Sequence, residues 1–423
     1  MLLSKENIFL FFGILIPASM ILPENTTALV LVLFLLTTFW LFINKKILFS
    51  FDRYHIPFIA LYLVYFISSF YSENVEEAKQ KLAIKVPLVF LPFVMNLYLK
   101  NVDQNVKFKI LRNLVILFAL STPYFLSVGL YRSLKSGSLY YTYPETGEII
   151  STYFTYVGLS EWVIHPAYLS IWVGSVFILS LFLLLNNYKK IFYVIASLSL
   201  FTLLILLQSR MNILAFLALF FITFVFYLIR KYSFKLNLFI LLGIAMLGST
   251  LYRIAPESIK GRFSDLSSLK YNIEAETFQE GFNGITIRLA EWKCALQEIA
   301  KRPFFGSGIG DARFDLENSY LRNNFKYGYR EKFNAHNQFI ETTIATGLLG
   351  LTALLGIFVY SIFYSYHCKK WHALLVLLYI FLCFLTESYL ERQWGVVFFS
   401  FIIPLLLESE LALPIIKNKS QKI

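Results

Sequence analysis

Long apolar runs, repeated along almost the whole chain, constrain this sequence more than any motif in it. They lie near 7–23, 26–43, 55–72, 82–99, 108–131, 162–186, 190–207, 210–229, 236–253, 337–366, 372–390 and 393–411. A helix needs about 20 mostly apolar residues to cross the hydrocarbon core of a bilayer. Inside that core a backbone must satisfy its own hydrogen bonds, so runs of this kind become helices. The pattern predicts an all-α, polytopic integral membrane protein with about twelve transmembrane helices. The fourth run is interrupted by Lys85, Pro87 and Pro92. Such residues are tolerated where neighbouring helices or a cavity take up the freed groups. Charged residues make up only 15% of the 423 positions, against about a quarter in soluble domains.

The net charge of +12 would suggest a nucleic-acid partner if its carriers were clustered. Instead they sit mostly in short segments between apolar runs, where basic residues set orientation, and no nucleic acid is expected. With the N-terminus inside, the inner segments hold eighteen Lys and Arg, and the short outer segments hold seven. The remaining thirteen belong to the long polar stretch that begins at Arg253, which the rule does not count. This predicts cytoplasmic termini and a long extracytoplasmic loop. The chain then divides into helices 1–9 over 1–253, the loop over 254–335, and helices 10–12 with a short tail over 336–423. Lys5 followed by Ile8 to Leu22 has the look of a signal sequence. No Ala-x-Ala-like cleavage site follows it, so a retained first helix is expected. Cys294, Cys368 and Cys383 lack metal-ligand spacing, and no disulfide between outer segments is expected.

Two outer segments interrupt the apolar pattern. Arg132 to Glu161 is rich in Tyr, Ser, Gly and Thr and reads as a loop capped by interfacial aromatics. In the long loop, Leu289, Trp292, Leu296 and Ile299 recur at helical spacing. That predicts an amphipathic helix over Thr286 to Lys301, with Thr286 as N-cap and Pro303 just past the end. Asp311 to Asn323 predicts a second short helix.

The candidate residues gather at the same boundary. His336, in Asn334-Ala335-His336-Asn337-Gln338-Phe339, stands where the loop enters the tenth helix. It either caps that helix or serves as a general base or hydrogen-bonding group, work suited to an ordinary pKa near 6.5. Glu341 could orient it, although five residues apart is not one face. Arg210, between two apolar runs, either snorkels to the outer surface or points into a cavity. A guanidinium there matches phosphate oxygens in pairs. Arg288 lies in the first turn of the amphipathic helix, where a cation opposes the helix dipole, so capping is not its purpose. Gly306-Ser307-Gly308-Ile309-Gly310 looks like a dinucleotide fingerprint without the preceding strand. It reads better as a tight turn bringing backbone close to a ligand or the membrane. His165 opens the sixth run, and Glu387, Glu391 and Arg392 fill the short turn before the last. No nucleophile elbow, zincin motif or P-loop occurs, and the carboxylates show no metal-site spacing.

Taken in order, these pieces resemble the O-antigen ligase and polymerase superfamily of bacterial envelope enzymes. The set comprises Ser209-Arg210, then Arg288 with Trp292, Pro303 and the glycine-rich turn. It closes with His336-Asn337-Gln338-Phe339-Ile340-Glu341 and Gly347-Leu348-Leu349-Gly350. The resemblance implies an inverting, metal-independent glycosyltransferase of the bacterial inner membrane, with its long loop periplasmic. It would move a glycan from an undecaprenyl diphosphate carrier to lipid A–core or another glycan acceptor, among membrane lipids and without a cofactor. Arg210 and Arg288 would hold the diphosphate, and His336 would activate or position the acceptor hydroxyl. Trp292, Asn337, His165, Glu391 and Arg392 are expected to line the substrate site. Two alternatives stand beside ligation: polymerisation on the same carrier, and transport of a lipid-linked sugar without chemistry.

Overall fold

The computed structural model describes residues 4–22, 24–142, 149–160, 162–186, 190–231 and 270–411, with Met246, Thr250 and Arg253 as isolated positions. Most of the expected ninth helix, 236–253, and the start of the long loop, 254–269, lie outside the described residues, as does Glu161.

Among the described residues the apolar runs fold into helices. These are α1 (Lys5–Ser19), α2 (Glu24–Ile43), α3 (His55–Ser68), α4 (Val75–Lys85), α5 (Pro87–Leu99) and α6 (Gln104–Ser136). After them come α7 (Tyr156–Ser160), α8 (Pro166–Asn186), α9 (Lys190–Leu206) and α10 (Arg210–Lys231). The polar segment contributes α11 (Thr286–Lys301), α12 (Ala312–Arg322) and α13 (Lys326–Glu331). The chain closes with α14 (Gln338–His367), α15 (Trp371–Phe384) and α16 (Gln393–Glu408). Among the described residues five helical stretches are long and apolar enough to cross a membrane, Val75–Leu99 being counted as one, and five more are apolar but shorter.

Three local differences from the sequence reading have physical causes. The fourth run breaks at Val86, where Pro87 opens α5 because proline lacks the N–H an uninterrupted helix would use. The segment after Arg132 is not all loop. Helix α6 continues to Ser136, and a small antiparallel hairpin follows, β1 (Tyr140–Thr142) on β2 (Ile149–Thr152). Capping of α11 falls to Asn283, not to Thr286: its Oδ1 accepts from the N–H groups of Ile285 and Thr286, both at 2.9 Å. The Thr286 hydroxyl instead accepts from the Asn283 N–H.

Helix α14 organises the polar segment. It breaks at Gly347, whose φ of 66° and ψ of −162° suit a residue without a side chain. The glycine-rich turn docks onto that break. Ser307 and Gly308 donate to the carbonyls of Ile344 and Ala345, and Leu348 donates to the Pro303 carbonyl. A Cβ on Gly347 would stand 2.2 Å from the Phe304 carbonyl carbon. The close approach expected of this turn is therefore made to protein backbone. Gly310 N–H reaches the Ser72 hydroxyl, and the Asp311 carboxylate accepts from the N–H groups of Glu73 and Asn74. These contacts tie the polar segment to the α3–α4 turn.

The bundle has two well-defined ends. One gathers the C-terminus of α3 and the N-termini of α4, α8, α10 and α14, with the turn between α15 and α16; we call it the His336 end. The other gathers the starts of α3, α6 and α15 and the ends of α5 and α16. There Lys100 bridges Asp52 at 3.2 Å and Glu408 at 3.1 Å. The Lys107 ammonium donates to the Glu408 carbonyl and Lys370 to the Leu407 carbonyl.

Candidate active site

His336 occupies a backbone conformation that side chains rarely adopt, with φ of 40°. Strain of this kind persists only where the surroundings over-determine it, and here they do. His336 N–H donates to Asn334 Oδ1, Ala335 N–H to Glu341 Oε2, and Asn337 N–H to the Ser388 hydroxyl. The Trp292 indole donates to the Ala335 carbonyl. Asn337 caps α14, its Oδ1 accepting from Phe339 and Ile340, while its amide donates to the Leu385 carbonyl. Glu341 thus supports the turn and does not touch the imidazole.

The residue that orients the imidazole is Glu291. Its Oε2 lies 3.0 Å from His336 Nδ1; the carboxylate is only 1% exposed, whereas the imidazole keeps a quarter of its surface. Burial alone would lower the imidazole pKa. The carboxylates of Glu291 and Glu387, with the Glu291 hydrogen bond, outweigh that and raise it to about 9. At neutral pH the ring is an imidazolium. A base with an ordinary pKa, as the sequence invites, is not what this environment makes. Nε2 has no hydrogen-bond partner among the described residues and is free to donate.

Arg288 sits on the same face of α11, one turn before Glu291. Its Nη1 donates to the Gly284 carbonyl at 2.7 Å and its Nε to the Thr386 carbonyl at 3.3 Å. Neutral carbonyls hold the guanidinium in place, and it has no carboxylate partner among the described residues, so its charge is undiminished. Arg210, the first residue of α10, is exposed. Its Nη1 lies 3.7 Å from where a Cβ on Gly284 would be. The two arginines converge on one glycine, which leaves them room. The start of α10 is fixed by Asn212, which donates to the Ala167 carbonyl at 3.2 Å and accepts from the Tyr389 hydroxyl at 2.9 Å.

The remaining sequence candidates spread around this centre. Trp292 packs beside the histidine turn and Asn337 beneath it. His165 lies near Tyr156 and Tyr168 at the entrance of α8. Arg392 is exposed at the N-cap of α16. Glu391 is committed elsewhere, bridged by Lys81 at 2.5 Å and Lys85 at 2.8 Å. Burial would raise its pKa, but the two ammonium groups hold it well below the usual carboxylate range. This buried cluster braces the turn from below: Lys85 also donates to the Leu390 carbonyl, and Leu390 N–H donates to Gln338.

Sequence reasoning missed Glu291, Gly284 and Thr386. Glu291 lies three residues after Arg288, on one helical face. That spacing was the available signal. The other two act through backbone carbonyls, which side-chain patterns do not reveal.

Residues 192–355 match the model of the family described as O-Antigen ligase. The match runs from α9 through Arg210, Arg288 and His336 to beyond the break in α14. That segment is similar to the O-antigen ligase superfamily. No curated protein matches the chain.

Proposed function

We propose that this protein is an O-antigen ligase. In this reading it is an inverting, metal-independent glycosyltransferase of the bacterial inner membrane that moves O-antigen from undecaprenyl diphosphate to lipid A–core. The observation that carries the proposal is the meeting of Arg210 and Arg288 at Gly284, beside the His336–Glu291 pair. A glycan on a diphosphate already has a good leaving group. Catalysis then requires alignment of the acceptor and stabilisation of the charge that builds on the departing oxygens. Two guanidiniums and an imidazolium supply that stabilisation, and Arg288 brings full charge because carbonyls rather than carboxylates hold it. His336 Nε2–H donates toward the same oxygens or the incoming hydroxyl.

The proposed orientation puts the His336 end at the periplasmic face, following the distribution of Lys and Arg. With 14 residues in α15 and 16 in α16, these helices rise about 21–24 Å, less than the ~30 Å hydrocarbon core. The turn between them then lies below the outer surface, at a depth a lipid-borne diphosphate can reach from within the leaflet.

Lipopolysaccharide from a deletion strain separates the candidate activities. Ligation predicts bare lipid A–core with polymer left on the carrier. Single repeat units on lipid A–core would instead mean polymerisation. Purified protein that binds the carrier-linked glycan but forms no product with any acceptor would favour transport.

A further inference from the structure

Inverting transfer to a hydroxyl needs a group to take the hydroxyl's proton, and the residues described so far do not provide one. Glu291 is buried against His336, Glu341 holds the Ala335 N–H, and Glu391 is bridged by two lysines. His336 itself is an imidazolium at neutral pH. Closer to the histidine turn in sequence and contacts, another carboxylate is uncommitted among the described residues. Glu387 lies in the turn between α15 and α16, half-buried, and has no cationic partner among the described residues. Among the described residues its one hydrogen bond comes from the adjacent Ser388 N–H to Oε1, at 3.1 Å.

The backbone on either side of Glu387 is fastened to the site. The preceding Thr386 carbonyl accepts from Arg288, and the following Ser388 hydroxyl accepts from the Asn337 N–H. Glu387 is therefore held between the guanidinium-bearing helix α11 and the cap of α14. Its carboxylate acts electrostatically on His336, on Tyr168 of α8 and on Tyr389 of its own turn. Arg392 acts on the same Tyr168. Oε2 has no partner among the described residues.

We propose that Glu387 is the general base of this site. The proposal rests on the glycosyl-transfer reading above. As the acceptor oxygen bonds to the anomeric carbon, its proton passes to Glu387 Oε2. The bond from that carbon to the diphosphate breaks, and its electron pair leaves with the diphosphate, toward Arg210, Arg288 and the His336 imidazolium. No oxidant, metal or nucleotide enters the balance.

Glu387→Gln tests this closely, because its amide oxygen still accepts from Ser388 N–H while the basic oxygen is lost. Wild type, Glu387→Gln and Glu387→Asp would be purified in lipid and assayed with undecaprenyl diphosphate-linked glycan and lipid A–core, alongside separate measurement of donor binding. Glu387→Gln should lower kcat by about 100-fold or more, with donor affinity unchanged. Wild-type kcat should fall at acid pH, and that fall should be absent in Glu387→Gln and persist in Glu387→Asp. Should the glutamine variant not fold, Glu387→Asp decides: the acid limb must survive with a reduced kcat. A glutamine variant within about threefold of wild type, or an aspartate variant with no acid limb, overturns the proposal. Wild type that binds donor but transfers nothing refutes instead the glycosyl-transfer reading on which it rests.

Discussion

The two ends of the bundle use charge differently. At the Glu408 end the basic groups meet protein oxygens: Lys100 two carboxylates, Lys107 and Lys370 helix-terminal carbonyls. That is how a helical bundle closes its ends, with cations on the carbonyls left open by the last turns. At the His336 end, Arg288 is positioned by neutral carbonyls and the imidazole is raised to about 9. Its backbone is held at a positive φ. At the first end the carboxylates close the bundle with lysine; at the second Glu391 is used in the same way by Lys81 and Lys85. Arg288, however, has no carboxylate partner among the described residues, and the imidazole stays partly exposed. The difference separates a site from a seam better than any count of ionisable residues.

The largest expected effect breaks the comparison directly. Arg210→Ala and Arg288→Ala should each lower transfer by about 100- to 1,000-fold, measured as product formed per folded molecule. Arg210→Lys should recover only part of this, since paired donors are lost. Next is Lys85→Met, which leaves Glu391 with one of its two ammonium partners. We expect thermal unfolding to show a loss of about 3 kcal/mol, with the turn between α15 and α16 loosened.

Glu291→Gln should cost about tenfold in transfer and move the pH profile. The folded-state pKa of His336 is raised, so the stabilisation from its ion pair is fully present below about 6.5. It is lost as pH rises through about 9. Wild-type transfer should therefore fall above about pH 9, while in Glu291→Gln the fall should begin nearer 6.5. A profile that rises through pH 9 would mean that neutral imidazole is the active form. The smallest effect belongs to the other end. Lys100→Ala should lower stability by about 1 kcal/mol and leave transfer per folded molecule within about twofold. A large loss of transfer would erase the distinction between the ends.

The helical architecture could be read from the chain because a bilayer allows few solutions to long apolar runs. Arg210 and His336 were legible because charges beside such runs are costly and therefore conspicuous; Arg288, on the loop helix, is marked as a site residue only by the family resemblance. Their arrangement was not. Glu291 looks like an ordinary polar position on an amphipathic helix, and only tertiary packing brings it to His336 from 45 residues away. Glu391 looked like a site residue by position, but Lys81 and Lys85 reach it across some 310 and 306 residues. The glycine-rich turn showed the need for close approach without showing its target, the break at Gly347. In each case residue type signalled a constraint, and the partner came from long-range packing.

The most direct test of the central claim, that the His336 end performs sugar transfer, is a reconstituted assay. Purified protein in lipid would receive undecaprenyl diphosphate-linked glycan and lipid A–core, without ATP or added metal. Glycan on lipid A–core is expected with wild type and with Lys100→Ala, and about 100-fold less or lower with Arg210→Ala or His336→Ala that insert and fold normally. Wild-type product yields from both of those variants would contradict that claim.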